Sequence, residues 1–181
     1  MNALHQAVTF SSLGKSDTTY PHDAALLNAV GMHHYLSARY ERSRDLFKAA
    51  ADINPNDVDF CRNYILGLKF SNQGEEALEI FAANEKFHDQ PEFRVLEPDI
   101  LTYLGRHSEA ITHYEELFQT SFRIDDDLLT YLNLLTYQND YEKALNTISA
   151  YLEKHRTENP RLLRWQHQVT AQSGDLSLIH I

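Results

Sequence analysis

The sequence predicts an all-α protein, an α-solenoid of stacked antiparallel helical hairpins. A short motif recurs along the 181-residue chain. In it, a small residue is followed four positions later by a large apolar one. The small residues are Ser43, Ala77, Ala110 and Ala144, spaced by 34, 33 and 34 positions. Repeats of this length are typical of hairpins that cannot bury their apolar faces alone and therefore stack into a continuous core.

The first copy shows the complete pattern. Its first helix carries apolar or small residues at helical spacing, its second helix carries the small and large pair, and a proline follows where the second helix must end. These residues are Leu27, Val30, Gly31, His34, Ser43, Phe47 and Pro55. A small residue on each helix lets the two backbones approach closely, and Phe47 is expected to fill the space between them.

The second and fourth copies keep the same spacing. The apolar patterns of their first helices begin at Cys61 and Leu128, and each contains four apolar residues on one face. The segments Asn72-x-x-Glu75 and Asn139-x-x-Glu142 predict N-caps at the start of the second helices. Gly105 stands at the corresponding position of the third copy.

The third copy is irregular. In the frame of the other copies its first helix would bury unsuitable residues, namely Arg94, Glu97 and Pro98. A shift by one residue instead buries Phe93, Leu96 and Ile100. We therefore expect a one-residue slip between helices, with Pro98 causing a kink or a late helix start.

Taken together, these patterns predict nine helices and three regions of the chain. The helices are expected at about 23–37, 40–53, 57–70, 74–86, 92–104, 107–120, 125–137, 141–154 and 160–172. Residues 1–20 are expected to form an N-terminal cap helix and a loose linker, and residues 21–175 the array. The last predicted helix repeats the first-helix pattern a fifth time, either as a capping half-repeat or as the start of a further repeat.

The residues of the first copy fall at the intervals of the tetratricopeptide-repeat (TPR) signature, so the chain resembles that family over about residues 21–175. The resemblance implies a right-handed superhelix that binds a protein or peptide partner in a concave groove and has no catalytic role. In that family the groove is lined mainly by the first helices. The residues at the matching positions are Asn28, Met32, Tyr35, Arg62, Asn63, Leu66, Lys69, Phe70, Thr130, Asn133, Tyr137, Arg164 and His167. Of the residues with which TPR proteins bind chaperone tails, only Asn63 is matched, so that subclass is unlikely.

Charge and composition exclude several other classes. The chain has 26 acidic against 16 basic residues and a net charge of -10, with no run of lysine and arginine, which argues against nucleic acid and anionic membranes as partners. No segment approaches the ~20 apolar residues of a membrane span. The single cysteine, Cys61, excludes an internal disulfide and is expected to serve packing in a cytoplasmic protein.

The sequence contains no local catalytic motif and implies neither a cofactor nor a metal ion. Gly-rich phosphate loops, nucleophile elbows and zinc-binding motifs are all missing. The ten histidines are scattered, and the adjacent pair His33 and His34 points in different directions on a helix, with His34 at a core position. The sequence therefore predicts a binding protein rather than an enzyme.

The final six residues, 176–181, resemble a translated transposase adapter used in preparing sequencing libraries. On this interpretation the tail is not native and the natural protein is longer. The chain would then be either a scaffold with further repeats or the N-terminal recruiting region of an enzyme such as a glycosyltransferase or sulfotransferase. An uncapped array end would also favour self-association.

Overall fold

The computed structural model describes residues 23–119, 125–156 and 159–173, and in these ranges the regular structure is helical. The predicted all-α fold is confirmed. The chain divides into two compact units, Met1–Gly105 and Arg106–Ile181. The α-helices of the first unit are α1 Ala24–Leu36, α2 Tyr40–Ile53, α3 Val58–Phe70, α4 Gly74–Ala83, α5 Pro91–Arg94 and α6 Leu96–Tyr103. Those of the second unit are α7 His107–Gln119, α8 Asp125–Tyr137, α9 Tyr141–His155 and α10 Pro160–Ser173.

The first hairpin, α1 with α2, closes as the repeat pattern predicts. A Cβ atom added to Gly31 would lie 2.7 Å from ring carbons of Phe47, so only glycine allows this approach. Ser43 and Phe47 are almost completely buried. His34 is also buried, and burial, followed by the nearby charges of Arg42, Arg39 and His33, lowers its pKa. His34 therefore packs as a neutral side chain, as expected for a core position.

Successive hairpins of the first unit share a buried core. Gly67 of α3 lies against the backbone of α2, where an added Cβ would be 2.8 Å from the Cα of Arg44. Apolar residues from α2, α3, α4 and α6 form a single buried cluster that runs from Phe47 through Ile65 and Phe81 to Ile100. Cys61 belongs to this cluster, and burial raises the pKa of its thiol to about 11. Its predicted packing role is confirmed.

The third hairpin contains the expected irregularity. Its first helix is divided into α5 and α6, and Phe93, Leu96 and Ile100 are all buried, so the predicted one-residue slip is confirmed. Pro98 lies in the first turn of α6, where the missing N–H would have no helical partner in any case. The proline therefore accompanies a late helix start rather than a kink.

The predicted N-caps at Asn72 and Asn139 are wrong. Both asparagines adopt left-handed backbone conformations, with φ of 66° and 63°, and they follow the end of a first helix instead of starting a second one. The N-cap of α9 is Asp140, whose carboxylate accepts a hydrogen bond of 3.2 Å from the backbone N–H of Lys143. The N-cap of α4 is Gln73, which makes no such bond.

These left-handed residues close the first helices of the first four copies. Ala38 and Gly105 occupy the same position as the asparagines, with φ of 56° and 74°. After α1, the N–H of Arg39 donates to the carbonyl of His34 at 2.9 Å and that of Ala38 to Tyr35 at 3.0 Å, which is the Schellman arrangement. Asparagine and glycine tolerate this conformation and alanine does not, so the first copy carries a strained residue.

Replacing Ala38 with glycine is expected to raise the free energy of unfolding of the first unit by about 1 kcal/mol, because the left-handed strain of the alanine disappears. Thermal or urea unfolding followed by circular dichroism would measure this. Asn72→Ala is the matched variant, because it introduces at the second copy the residue that the first copy has. It should lower stability by a similar amount, and stabilisation by Asn72→Ala would contradict the account.

The second unit contains the hairpin of α8 and α9 and the helices on either side of it. Lys143 of α9 forms an ion pair of 2.6 Å with Glu115 of α7, and the ring of Tyr131 packs 5.8 Å from that of Tyr114. In α10, the fifth copy of the first-helix pattern, Leu162 and Val169 are buried. The predicted helix at 160–172 is therefore present.

Two expectations fall on residues that the structure does not describe. The cap helix and linker predicted for residues 1–20 and the adapter-like tail at 176–181 both lie outside the described ranges. Among the described helices, none has the length and apolarity needed to cross a membrane.

Candidate functional site

Three successive first helices of the first unit place polar and aromatic side chains together. Tyr35 comes from α1, Lys69 and Phe70 from α3, and Asp99 and Tyr103 from α6. Tyr40, the first residue of α2, completes the group. We call these six residues the Lys69 surface.

The aromatic part of the Lys69 surface is a packed trio of rings. The Phe70 ring lies 5.4 Å from that of Tyr35 in an edge-on arrangement and 5.4 Å from that of Tyr40 in a stacked one. The two tyrosine rings are 5.8 Å apart. Burial, followed by the electrostatic effects of Tyr40 and Asp99, raises the pKa of Tyr35 above its ordinary value. The trio offers rigid, partly exposed apolar area beside a hydroxyl donor.

The polar part is an ion pair between Lys69 and Asp99, with 2.5 Å between Nζ and Oδ2. Lys69 is 8% exposed, and its ammonium lies 4.8 Å from the ring centroid of Phe70 and 5.9 Å from that of Tyr103. Attraction between a cation and aromatic faces adds to the ion pair at this separation. Because an ammonium has three N–H donors and Asp99 is its one acceptor among the described residues, Lys69 retains donor capacity.

Several residues predicted to line the groove are instead engaged with other residues of the first unit. Asn63 is 5% exposed and donates from Nδ2 to Oδ1 of Asn28 at 2.8 Å, a bond that joins α3 to α1. Arg62 pairs with Asp59 of its own helix at 3.4 Å. Met32 and Leu66 are half-buried and pack against the main core cluster. Of the eight candidates in the first unit, the structure brings Tyr35, Lys69 and Phe70 into the Lys69 surface.

The candidates in the second unit are less concentrated. The amide oxygen of Asn133 accepts a hydrogen bond of 2.7 Å from Trp165, and Tyr137 is 74% exposed with its ring 5.2 Å from that of His107. Thr130 is half-buried, whereas Arg164 and His167 are exposed. Within the described residues no hydrogen bond or ring contact joins Thr130, Tyr137, Arg164 and His167 to one another.

Sequence reasoning missed part of the Lys69 surface and its surroundings. The missed residues are Leu36, Tyr40, Asp99 and Tyr103. Leu36 and Tyr103 could have been found from the repeat, because a large apolar residue stands two positions before the left-handed residue in each of the first four copies. The residues at this repeat position are Leu36, Phe70, Tyr103 and Tyr137. Leu36 is 78% exposed and Tyr103 is 43% exposed.

The described residues contain no group of three side chains suited to hold a metal ion. The Lys69 surface is built from four aromatic rings, three of which carry a hydroxyl, together with one ammonium and one carboxylate. Such groups can contact apolar side chains and hydrogen-bond to backbone amides. The surface is therefore equipped for binding.

Two solved structures share this arrangement of hairpins. One is YrrB, a TPR protein with an unusual peptide-binding site, which matches 81% of this chain and 75% of its own with a TM-score of 0.59 and 16% identity. The chain has the TPR fold. PilF of Pseudomonas aeruginosa shares it as well, with a TM-score of 0.53 and 19% identity over 81% of this chain and 67% of its own. No protein-family model and no curated protein sequence matches the chain.

The TPR fold explains why the Lys69 surface exists. Stacking puts the first helices of consecutive hairpins side by side, so residues about 34 positions apart in sequence become neighbours. Lys69 and Asp99 are 30 positions apart, and Tyr103 donates from its hydroxyl to Oδ1 of Asn72 at 3.4 Å over 31 positions. The repeat thus assembles a surface that no single hairpin contains.

Proposed function

We propose that this chain is a noncatalytic scaffold that binds a peptide segment of a partner protein on the Lys69 surface. The observation that carries the proposal is the convergence of side chains from α1, α3 and α6 around Lys69. A peptide lying across the three helices would contact each in turn. Repeat proteins use their extended surfaces for this kind of binding.

The chemistry of the surface suits an extended peptide that carries an apolar side chain. The rings of Tyr35, Tyr40 and Phe70 are rigid and offer large contact area at a low entropy cost. The Lys69 ammonium and the Tyr35 hydroxyl can donate to backbone carbonyls, and the Asp99 carboxylate can accept from backbone N–H groups. YrrB is described as having a peptide-binding site, which agrees with the proposal without locating the site here.

Peptide selection tests the proposal. A library of random twelve-residue peptides displayed on phage would be selected against the chain, and the affinities of the recovered peptides measured by isothermal titration calorimetry. We expect Tyr103→Ala to weaken the recovered peptides about tenfold or more, because aromatic residues at the centre of interfaces contribute most to affinity.

Ile53→Ala is the matched control. Ile53 is 44% exposed, as Tyr103 is 43% exposed, but it ends α2, a second helix outside the Lys69 surface. Its replacement should leave the affinity unchanged. If Ile53→Ala weakened binding and Tyr103→Ala did not, the binding surface would lie on the second helices and the proposal would be wrong.

A further inference from the structure

Beside the Lys69 surface lies an open pocket of about 480 Å³. It forms where the turn between α1 and α2 meets the turn between α3 and α4. Its walls include Arg39, Arg42, Tyr40, Phe70 and Asn72, with Glu41 also among the lining residues. Of its lining residues, Phe70 alone was also predicted to line the groove.

The pocket is a basic site on an acidic protein. Arg39 and Arg42 are exposed, and neither forms an ion pair with any described residue. The pocket lining contributes two arginines and a single acid, Glu41, although the net charge of the chain is -10. After burial itself, Arg42 and Arg39 are the largest causes that lower the pKa of His34, so their positive potential extends into the first hairpin.

The backbone adds to this positive character. Helix α2 has 14 residues and begins at the pocket, with Arg39 as its N-cap and no side chain accepting a bond from its first N–H groups. The N-terminal end of a helix of this length carries a partial positive charge. The pocket thus combines two guanidinium groups with a helix end of the same sign.

The pocket is continuous with the Lys69 surface. Tyr40 and Phe70 belong to both, and Asn72 on the pocket wall accepts the hydrogen bond from Tyr103. A ligand seated on the aromatic trio therefore has the two arginines within reach of a neighbouring residue. An apolar group and an anionic group can be bound side by side.

We propose that the pocket binds an aspartate or glutamate side chain of the peptide that occupies the Lys69 surface, so that the partner carries an acidic residue next to an apolar one. This proposal rests on the function proposed above. Guanidinium groups form forked, charge-assisted hydrogen bonds with carboxylates. Glu41 in the lining favours a singly charged carboxylate over a more highly charged phosphate group.

The test uses the peptides recovered from the random library. Each acidic residue in a peptide is replaced by glutamine, and the affinities of both forms are measured for the unaltered chain and for Arg39→Gln/Arg42→Gln. We expect the recovered peptides to be rich in acidic residues. For one acidic position of the peptide, the change to glutamine should weaken binding to the unaltered chain about tenfold. The same peptide change should weaken binding to Arg39→Gln/Arg42→Gln less than twofold.

Lys48→Gln/Lys86→Gln is the control for charge alone. Like the arginine variant it removes two positive charges, but from exposed positions of the first unit outside the pocket. The tenfold difference in affinity between the acidic peptide and its glutamine form should therefore persist. Circular dichroism would verify that both double variants are folded.

The outcomes separate the two proposals. Peptides that bind in a Tyr103-dependent manner without any acidic residue, or an acid preference that survives Arg39→Gln/Arg42→Gln, would overturn the pocket proposal and leave the peptide-binding function intact. If no peptide binds the chain at all, both proposals are overturned. An equal loss of acid preference in the lysine control would show a long-range charge effect and would also overturn the pocket.

Discussion

Phe47→Ala is expected to lower the free energy of unfolding of the first unit by about 3 to 5 kcal/mol, the range typical of truncating a buried large aromatic side chain to alanine. Phe47 is 1% exposed, contacts Gly31 across the first hairpin and belongs to the cluster that continues into α6. Its removal leaves a cavity where two hairpins meet. Urea denaturation followed by circular dichroism would give the change.

Phe60→Ala is the matched control for this prediction. Phe60 lies on α3 and is half-buried. It packs against a second, smaller buried cluster formed by Leu27, Val30, Leu46 and Ala50 of the first hairpin, so its truncation leaves less empty volume. It should cost less than half as much as Phe47→Ala. If both variants lost the same free energy of unfolding, Phe47 between the hairpins would contribute no more to stability than Phe60 at the edge of the core.

Asp99→Ala is expected to destabilise the first unit by about 2 to 3 kcal/mol, because it leaves the ammonium of Lys69 buried without its carboxylate. The estimate lies at or below the low end of values for buried pairs, since the Asp99 side chain is 32% exposed. Chemical denaturation of the variant would measure the effect. The double variant Lys69→Met/Asp99→Leu should recover most of the loss, because no charge is then buried.

The second unit supplies a comparison pair. Lys143 and Glu115 are separated by 2.6 Å, close to the 2.5 Å of Lys69 and Asp99, but their side chains are 45% and 37% exposed. Glu115 also accepts a hydrogen bond from the hydroxyl of buried Tyr131, so the exposed pair is removed from its other side. Lys143→Ala should cost less than about 1 kcal/mol, as exposed pairs do. If Lys143→Ala and Asp99→Ala had the same cost, burial would not distinguish the two pairs and the account of Lys69 would be wrong.

Spacing alone predicted the hairpins because the fold depends on a few repeated contacts. Gly31 against Phe47 is such a contact, and the sequence shows both residues at the required interval. The slip in the third copy was also predictable, since charged residues such as Arg94 cannot occupy a buried stripe without a partner. Patterns of burial in single helices are thus sufficient for the architecture.

The candidate site was only partly predictable, because hydrogen bonds and ion pairs between helices cannot be inferred from the sequence of one helix. Asn63 matches a groove position, yet it donates to Asn28 and is used in packing. Lys69 depends on Asp99 from another hairpin. Periodicity identifies which face a residue occupies, but not whether a partner 30 positions away satisfies it.

The failed N-cap prediction has a similar cause. An asparagine beside a helix boundary fits both the start of one helix and the left-handed end of another. The signal that decides is the equivalence of Ala38, Asn72, Gly105 and Asn139 across the copies, because Gly105 cannot be a side-chain cap. Comparing all four copies would have given the correct assignment.

The measurement that tests the central claim most directly is NMR chemical-shift mapping of the chain titrated with a peptide recovered by selection. The proposed function predicts that the perturbed residues cluster on α1, α3, α6 and the start of α2 at Tyr40, with the largest changes at Tyr35, Phe70 and Tyr103. Perturbations confined to α4 and to the part of α2 that follows Arg42, or to the second unit, would contradict the claim that the Lys69 surface binds the partner.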